Sequence, residues 1–288
     1  MSSRLPAENK KKGIPLMNTR FFLGIGLAIV LVFCGAMIYT SFTKLPAASA
    51  APEDRETLYQ VSTIDALMQG VFEGTLPISE LKKHGDFGIG TFDALEGEMI
   101  VLDGQVYHAK ADGRVYMVMD NATTPFATVT HFNSDFSVTP GQSMNFSVFS
   151  TEMSTRLPSQ NMIYAVQMHG TFPQMKVRAI PAQKKPYPTL TDAAMNQSVF
   201  TYADTTGTVV GFYLPVFFKG LNVGGYHLHF LSDDGHTGGH ILDLEVPADV
   251  LIEYDITPAF EMHLPTSGAF IGVDLSQDLS EELARVES

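Results

Sequence analysis

Four of the nine histidines in this chain fall within fourteen residues, in Gly225-Tyr-His227-Leu-His229-Phe-Leu-Ser-Asp-Asp234-Gly235-His236-Thr-Gly-Gly-His240-Ile-Leu-Asp243. His227 and His229 are two apart, so on a strand both project from one face, roughly 7 Å from each other. Asp234-Gly235 is a hairpin signal, because glycine accepts the positive φ of a type I′ turn. A turn centred there pairs His229 with His240, with their side chains about 5 Å apart on the same face. Three imidazoles gathered on one hairpin face make an open metal site, the pattern of a catalytic zinc with room for water or substrate. His236 lies beside the turn and reads as an exposed loop residue outside the ligand set.

The elements that would carry this hairpin are mostly strands. A short helix is expected from residue 62 or 63 to about 72, with Ile64, Leu67, Met68 and Val71 at helical spacing. Residues 79–83 add another helical turn. Residues 99–108 read as a hairpin turning at Asp103-Gly104, and the meander continues through Asp112-Gly113 into 114–119 and a strand within 125–136. Residues 143–156 favour a helix over their second half. Two strands follow, 161–169 and 175–180, joined by Gly170-Thr-Phe-Pro173. On the second, Arg178 shares a polar face with Lys176, opposite Met175, Val177 and Ala179. Further strands are expected at 199–202, 208–214, 226–231, 240–246 and 251–254, after a short helix at 190–196. The fold class is a β-rich α/β (α+β) chain. Pro181, Pro186 and Pro188 mark a boundary between an N-terminal part at 58–183 and a C-terminal part at 184–288 that carries the metal hairpin.

The first fifty residues differ from the rest. Lys10, Lys11, Lys12 and Arg20 precede an uncharged apolar run at 21–43, the pattern of an export signal. Ala48-Ser49-Ala50 fits a cleavage site, and an uncleaved membrane anchor is the alternative, since the run reaches spanning length. Either way the remainder is expected outside the cytoplasm: secreted, periplasmic or anchored. Residues 51–57 read as a linker. Without residues 1–50 the chain loses six of its 18 Lys and Arg and one of its 31 acids, leaving a formal charge of −18. Such a body is a poor partner for nucleic acid, and membrane contact is expected only through the N-terminal segment. The sole cysteine, Cys34, lies in the apolar run, so no disulfide is available to the exported part.

Two segments in order, Gly85-Asp-Phe87-Gly-Ile-Gly90-Thr91-Phe-Asp-Ala-Leu-Glu96-Gly97-Glu98-Met99 and the histidine hairpin, resemble the alpha-acetolactate decarboxylase family. The similarity runs from about Leu58 to the C-terminus. It implies a two-part chain rich in mixed sheet, commonly a homodimer, in which Zn2+ serves conversion of a small 2-hydroxy-3-keto acid, 2-acetolactate, to acetoin and carbon dioxide. His227, His229 and His240 match the family's zinc-binding histidines. Glu98 matches its acidic residue near the metal, Thr91 a nearby substrate contact, and Arg178 its active-site arginine. A C-terminal glutamate also reaches the metal in the family, which implies Glu287, with Glu281 and Glu282 as neighbours that could fill the role. One departure is visible: where the family often carries a basic residue after the acidic pair of the hairpin turn, this chain has Gly235-His236.

The chemistry suits these residue types. Loss of carbon dioxide from a β-keto acid leaves an enediolate, whose negative charge a zinc ion chelating ketone and hydroxyl oxygens can stabilise. Two other readings stand beside this one. A cupin-like oxygenase or isomerase also uses His-x-His, but no acid follows here at the short cupin spacing. An exported, non-catalytic zinc module would need a closed shell of four ligands, often cysteines.

Overall fold

The computed structural model describes residues 56–287. The expected export segment, 1–50, and most of the linker lie outside the described residues. The first half of the chain supplies β1 (Thr57–Val61), β2 (Leu76–Pro77), β3 (Phe87–Thr91), β4 (Glu98–Leu102), β5 (Gln105–Ala109), β6 (Val115–Met117), β7 (Thr123–Thr124), β8 (Ala127–Thr130), β9 (Phe136–Val138) and β10 (Met144–Asn145). The second half supplies β11 (Tyr164–Ala179), β12 (Ser198–Leu214), β13 (Gly225–Ser232), β14 (Gly238–Val246), β15 (Leu251–Ile256) and β16 (Ala259–His263). Helices α1 (Ile64–Met68), α2 (Ile78–Leu81), α3 (Phe146–Arg156), α4 (Leu190–Ala194) and α5 (Ser280–Val286) lie between and after them.

Two seven-stranded sheets dominate, ordered β16-β1-β8-β3-β4-β5-β6 and β10-β14-β13-β12-β11-β15-β9, with β2 and β7 as a small separate pair. The first sheet is mixed, because β1 runs parallel to β16 and antiparallel to β8. Side-chain alternation explains how the sheets stack. On β4, Ile100 points into a core shared with Ala165, Val210, Phe212 and Leu231 of the second sheet. Its neighbours Met99 and Val101 point the other way, into a core completed by Ile78 and Leu81 of α2. Glu98 shares the Ile100 face, so the same alternation turns it towards the second sheet. The outer face of that sheet is covered by α3 through Phe149 and Met153. Asn145 caps α3, accepting from Val148 N at 3.0 Å.

The second sheet corrects two expectations. Residues 161–169 and 175–180 are not two strands but one, β11, and 199–202 and 208–214 likewise merge into β12. The two long strands pair with each other from Tyr164↔Tyr213 to Ala179↔Ser198. Pro173, which suggested a break, lies between the β15-paired half of β11 and its β14-paired half, where a missing N–H forfeits no ladder bond. The proline-rich segment after residue 180 is then the connection between these paired strands. The second sheet draws on both sides of the expected 183/184 boundary, so that boundary does not separate two sheets. Pairing of β14 with β11 also closes β11–β14 into a ring.

Candidate metal centre and active site

The histidine hairpin forms in the register that its turn residues dictate: His229 faces His240 across β13 and β14. One strand further, His240 pairs with Arg178 on β11. His229, His240 and Arg178 therefore form a row across three adjacent strands, with His227 two residues along β13. A register shift between Lys176 and Val177, the signature of a bulge, immediately precedes Arg178. Bulges re-aim the side chains beside them, and Arg178 is buried at 4% exposure while Lys176 is only half-buried. Two glycines are required here by their backbones. Gly239 adopts φ +148 with its Cβ position 2.5 Å from Arg178 O, and Gly97 adopts φ +67 at the entry to β4, just before Glu98.

The three histidines are buried, and one potential ligand atom from each lies within 4.8 Å of the others. His229 Nδ1 donates to Met99 O of the first sheet at 2.8 Å, which fixes its tautomer and leaves Nε2 with a free lone pair. His227 Nε2 and His240 Nδ1 share a hydrogen bond at 3.2 Å. Burial, reinforced by the Arg178 charge, pushes His227 down to about 3. Burial likewise holds His229 and His240 well below the ordinary imidazole value. All three are neutral at pH 7, the form that ligates a metal. His229 Nε2 and His240 Nε2 are buried without a hydrogen-bond partner. Each such atom costs about 1–3 kcal/mol if left so, and a bound cation is the partner that would satisfy both. The donor set fits a divalent metal ion.

Carboxyl groups and the arginine complete the pocket. Glu98 Oε2 lies 3.9 Å from His229 Nε2. Burial pushes its carboxyl up to about 7, with Glu287 adding to the rise while Arg178 and a backbone bond from Ile180 oppose it. Among the C-terminal acids, Glu287, which follows α5, places its carboxyl at the histidine cluster. Its Oε2 lies 3.6 Å from His240 Nε2 and 3.7 Å from His227 Nε2, and its Oε1 accepts from Arg178 Nη2 at 3.3 Å. Burial raises its carboxyl above the ordinary range, against the pull of Arg178. Glu282 pairs instead with Arg285, and Glu281 is exposed. Thr91 lines the same pocket and donates its hydroxyl to Gly97 O at 2.7 Å. His236 is exposed in the turn, as expected.

Sequence reading missed the apolar wall, made by Leu67, Leu95, Phe126, Ile180 and Leu190. It also missed Gln197, whose side-chain oxygen accepts from Arg178 Nη1 at 3.3 Å. Neither carries a local signal, since ordinary core leucines and a solvent-facing glutamine have the same appearance in sequence. The arrangement as a whole can bind a cation, hold an anion on the guanidinium and exchange a proton at a carboxyl poised near neutrality.

Residues 58–277 match the family model described as alpha-acetolactate decarboxylase. A protein of that name from Methanosarcina mazei is 51% identical over 233 residues, covering 81% of this chain and 80% of its own. One from Bacillus licheniformis is 36% identical, covering 86% of this chain and 98% of its own. The crystal structure of alpha-acetolactate decarboxylase from Bacillus subtilis strain 168 superposes with a TM-score of 0.78 at 34% identity, over 81% of this chain and 99% of that one. The buried histidine cluster between two sheets thus sits in a chain that belongs to the alpha-acetolactate decarboxylase family.

Proposed function

We propose that this chain converts 2-acetolactate to acetoin and carbon dioxide, with zinc held by His227, His229 and His240 on the β13–β14 hairpin and joined by Glu287. The observation that carries this reading is the pair of buried, unpartnered imidazole nitrogens beside two carboxyl groups and a buried arginine. Zinc suits neutral nitrogen donors with a carboxylate, and when bound it supplies the Lewis acidity that stabilises negative charge developing on the ketone side of the substrate.

The chain's own groups do the rest. Arg178 receives the substrate carboxylate; its Nε has no protein acceptor, and a guanidinium fork matches a planar carboxylate. When the bond to the carboxyl carbon breaks, its electron pair stays on the neighbouring carbon, which must take up a proton to give acetoin. Glu98, with its carboxyl near 7, exchanges a proton at physiological pH and can deliver it there. Thr91 gives its proton to Gly97 O, so its oxygen accepts from the substrate hydroxyl. The leucine and phenylalanine wall surrounds the methyl groups and keeps water from the developing charge.

Racemic acetolactate added to purified protein, before and after chelation, tests the reading. Acetoin should form only with metal present and return on adding zinc. Equal acetoin formation by metal-free protein would overturn it. We also propose that the catalytic body is exported, on the strength of the basic flank, the apolar run and Ala48-Ser49-Ala50. N-terminal sequencing after cell fractionation decides between cleavage and anchoring, and a soluble cytoplasmic protein beginning at Met1 would defeat both.

A further inference from the structure

Arg178 is held from two sides by groups of different charge. Nη2 donates to the Glu287 carboxylate and Nη1 to the side-chain carbonyl of Gln197, each at 3.3 Å. Gln197 reaches this point because α4, capped by Thr189, unwinds through turns in which Asn196 N donates to Ala193 O and Gln197 N to Ala194 O. The chain then enters β12, where Ser198 and Val199 pair with Ala179 and Arg178. The amide is thereby delivered beside the arginine's own strand, to the nitrogen that Glu287 does not use.

A neutral partner has a particular consequence at this place. The guanidinium is always protonated, and Glu287 already balances part of its charge. A second carboxylate at 197 would compete with the substrate for the remaining positive potential. An aliphatic side chain would leave Nη1 unpaired beside Nε, which already lacks a partner. An amide fixes the guanidinium plane and cancels none of its charge. We infer that Gln197 is a positioning residue for the reaction: it holds Arg178 in the orientation that receives the substrate carboxylate. This deepens, and rests on, the proposed role of Arg178.

The test compares zinc-loaded parent protein with Gln197→Met, Gln197→Glu and Arg178→Lys. Gln197→Met keeps the side-chain length and removes only the hydrogen bond. It should raise KM for acetolactate about tenfold, lower kcat by less, and leave zinc content and melting temperature at parental values. Inhibition by acetoin, which lacks the carboxylate, should be unchanged in the same variant. Gln197→Glu should raise KM further than methionine does. A parental KM for Gln197→Met overturns the inference, and so does an equal weakening of acetolactate and acetoin, which would mark a general disturbance of the pocket. Should Gln197→Met lose zinc or melt early, Gln197→Asn, which withdraws the same amide by one methylene, carries the test, and a parental KM there overturns the inference. Failure of the underlying reading looks different: a parent that makes no acetoin, or an Arg178→Lys variant with parental KM.

Discussion

The two sides of the pocket are built differently. The histidine side is a hairpin whose strands are hydrogen-bonded to neighbours, with β13 lying between β12 and β14. His229 is also tied to the first sheet through Met99 O. The carboxylate side ends in Glu287, which follows a single seven-residue helix near the C-terminus, anchored by Val286 and partly by Leu283 and Leu279. A ligand set on interlocked strands is preorganised, so its members act together. A terminal helix with few buried anchors can shift at lower cost, so Glu287 is the adjustable member. The contrast teaches that this site separates a rigid histidine side from an arginine–carboxylate side assembled at longer range.

The largest effect should come from breaking the rigid side. His229→Ala or His240→Ala should abolish stable metal binding and lower kcat/KM by at least about a thousandfold. Metal analysis alongside acetoin assays checks this, and retention of full metal content by His240→Ala would deny the hairpin its role. Next comes the anion site. Arg178→Lys keeps the charge but loses the fork and should cost about a hundredfold in kcat/KM with metal content unchanged. The adjustable side should respond more mildly. Glu287→Gln should weaken metal affinity by about tenfold to a hundredfold, read by titration with a competing chelator. An effect as large as that of His229→Ala would place Glu287 on the rigid side and erase the distinction drawn above.

How much could be read from sequence follows the same division. The hairpin is local: a two-residue turn and a period of two fix which histidines face each other, so a separation of thirteen positions between His227 and His240 suffices. The arginine–carboxylate side is not local. Glu287 meets Arg178 across 109 residues of chain and Gln197 meets it across 19, with no spacing rule linking either pair. Glu98, Arg178 and Glu287 came from resemblance, and Gln197 had no such guide. The strands failed for a related reason. Gly170 to Pro173 carries turn residues, yet β11 continues through it because β12 pairs with it on both sides of Pro173. Pairing between distant segments overrode local punctuation there.

The smallest predicted effect lies away from the pocket and separates stability from chemistry. Asp255 on β15 is buried, its Oδ2 accepting from Asn133 N at 3.1 Å. Burial pushes its carboxyl up to about 7 from the ordinary 3.8; Asp135, Glu56 and Asp86 add to the rise, while the Asn133 bond opposes it. A carboxyl raised in this way binds more protons folded than unfolded between those two values. Stability therefore declines as pH climbs through that window and levels off above it. Asparagine keeps an acceptor oxygen for Asn133 N and never ionises, so Asp255→Asn should behave like the protonated acid at every pH. The variant should melt several degrees higher than the parent at pH 8, the sign that a carboxyl raised by burial requires. The gap should close below pH 4, where both unfolded chains carry a neutral group at 255. Acetoin formation should be unchanged throughout. Thermal melts of both proteins from pH 4 to 8 decide it: a gap that stays constant or widens towards acid would show that Asp255 is not the group setting this slope.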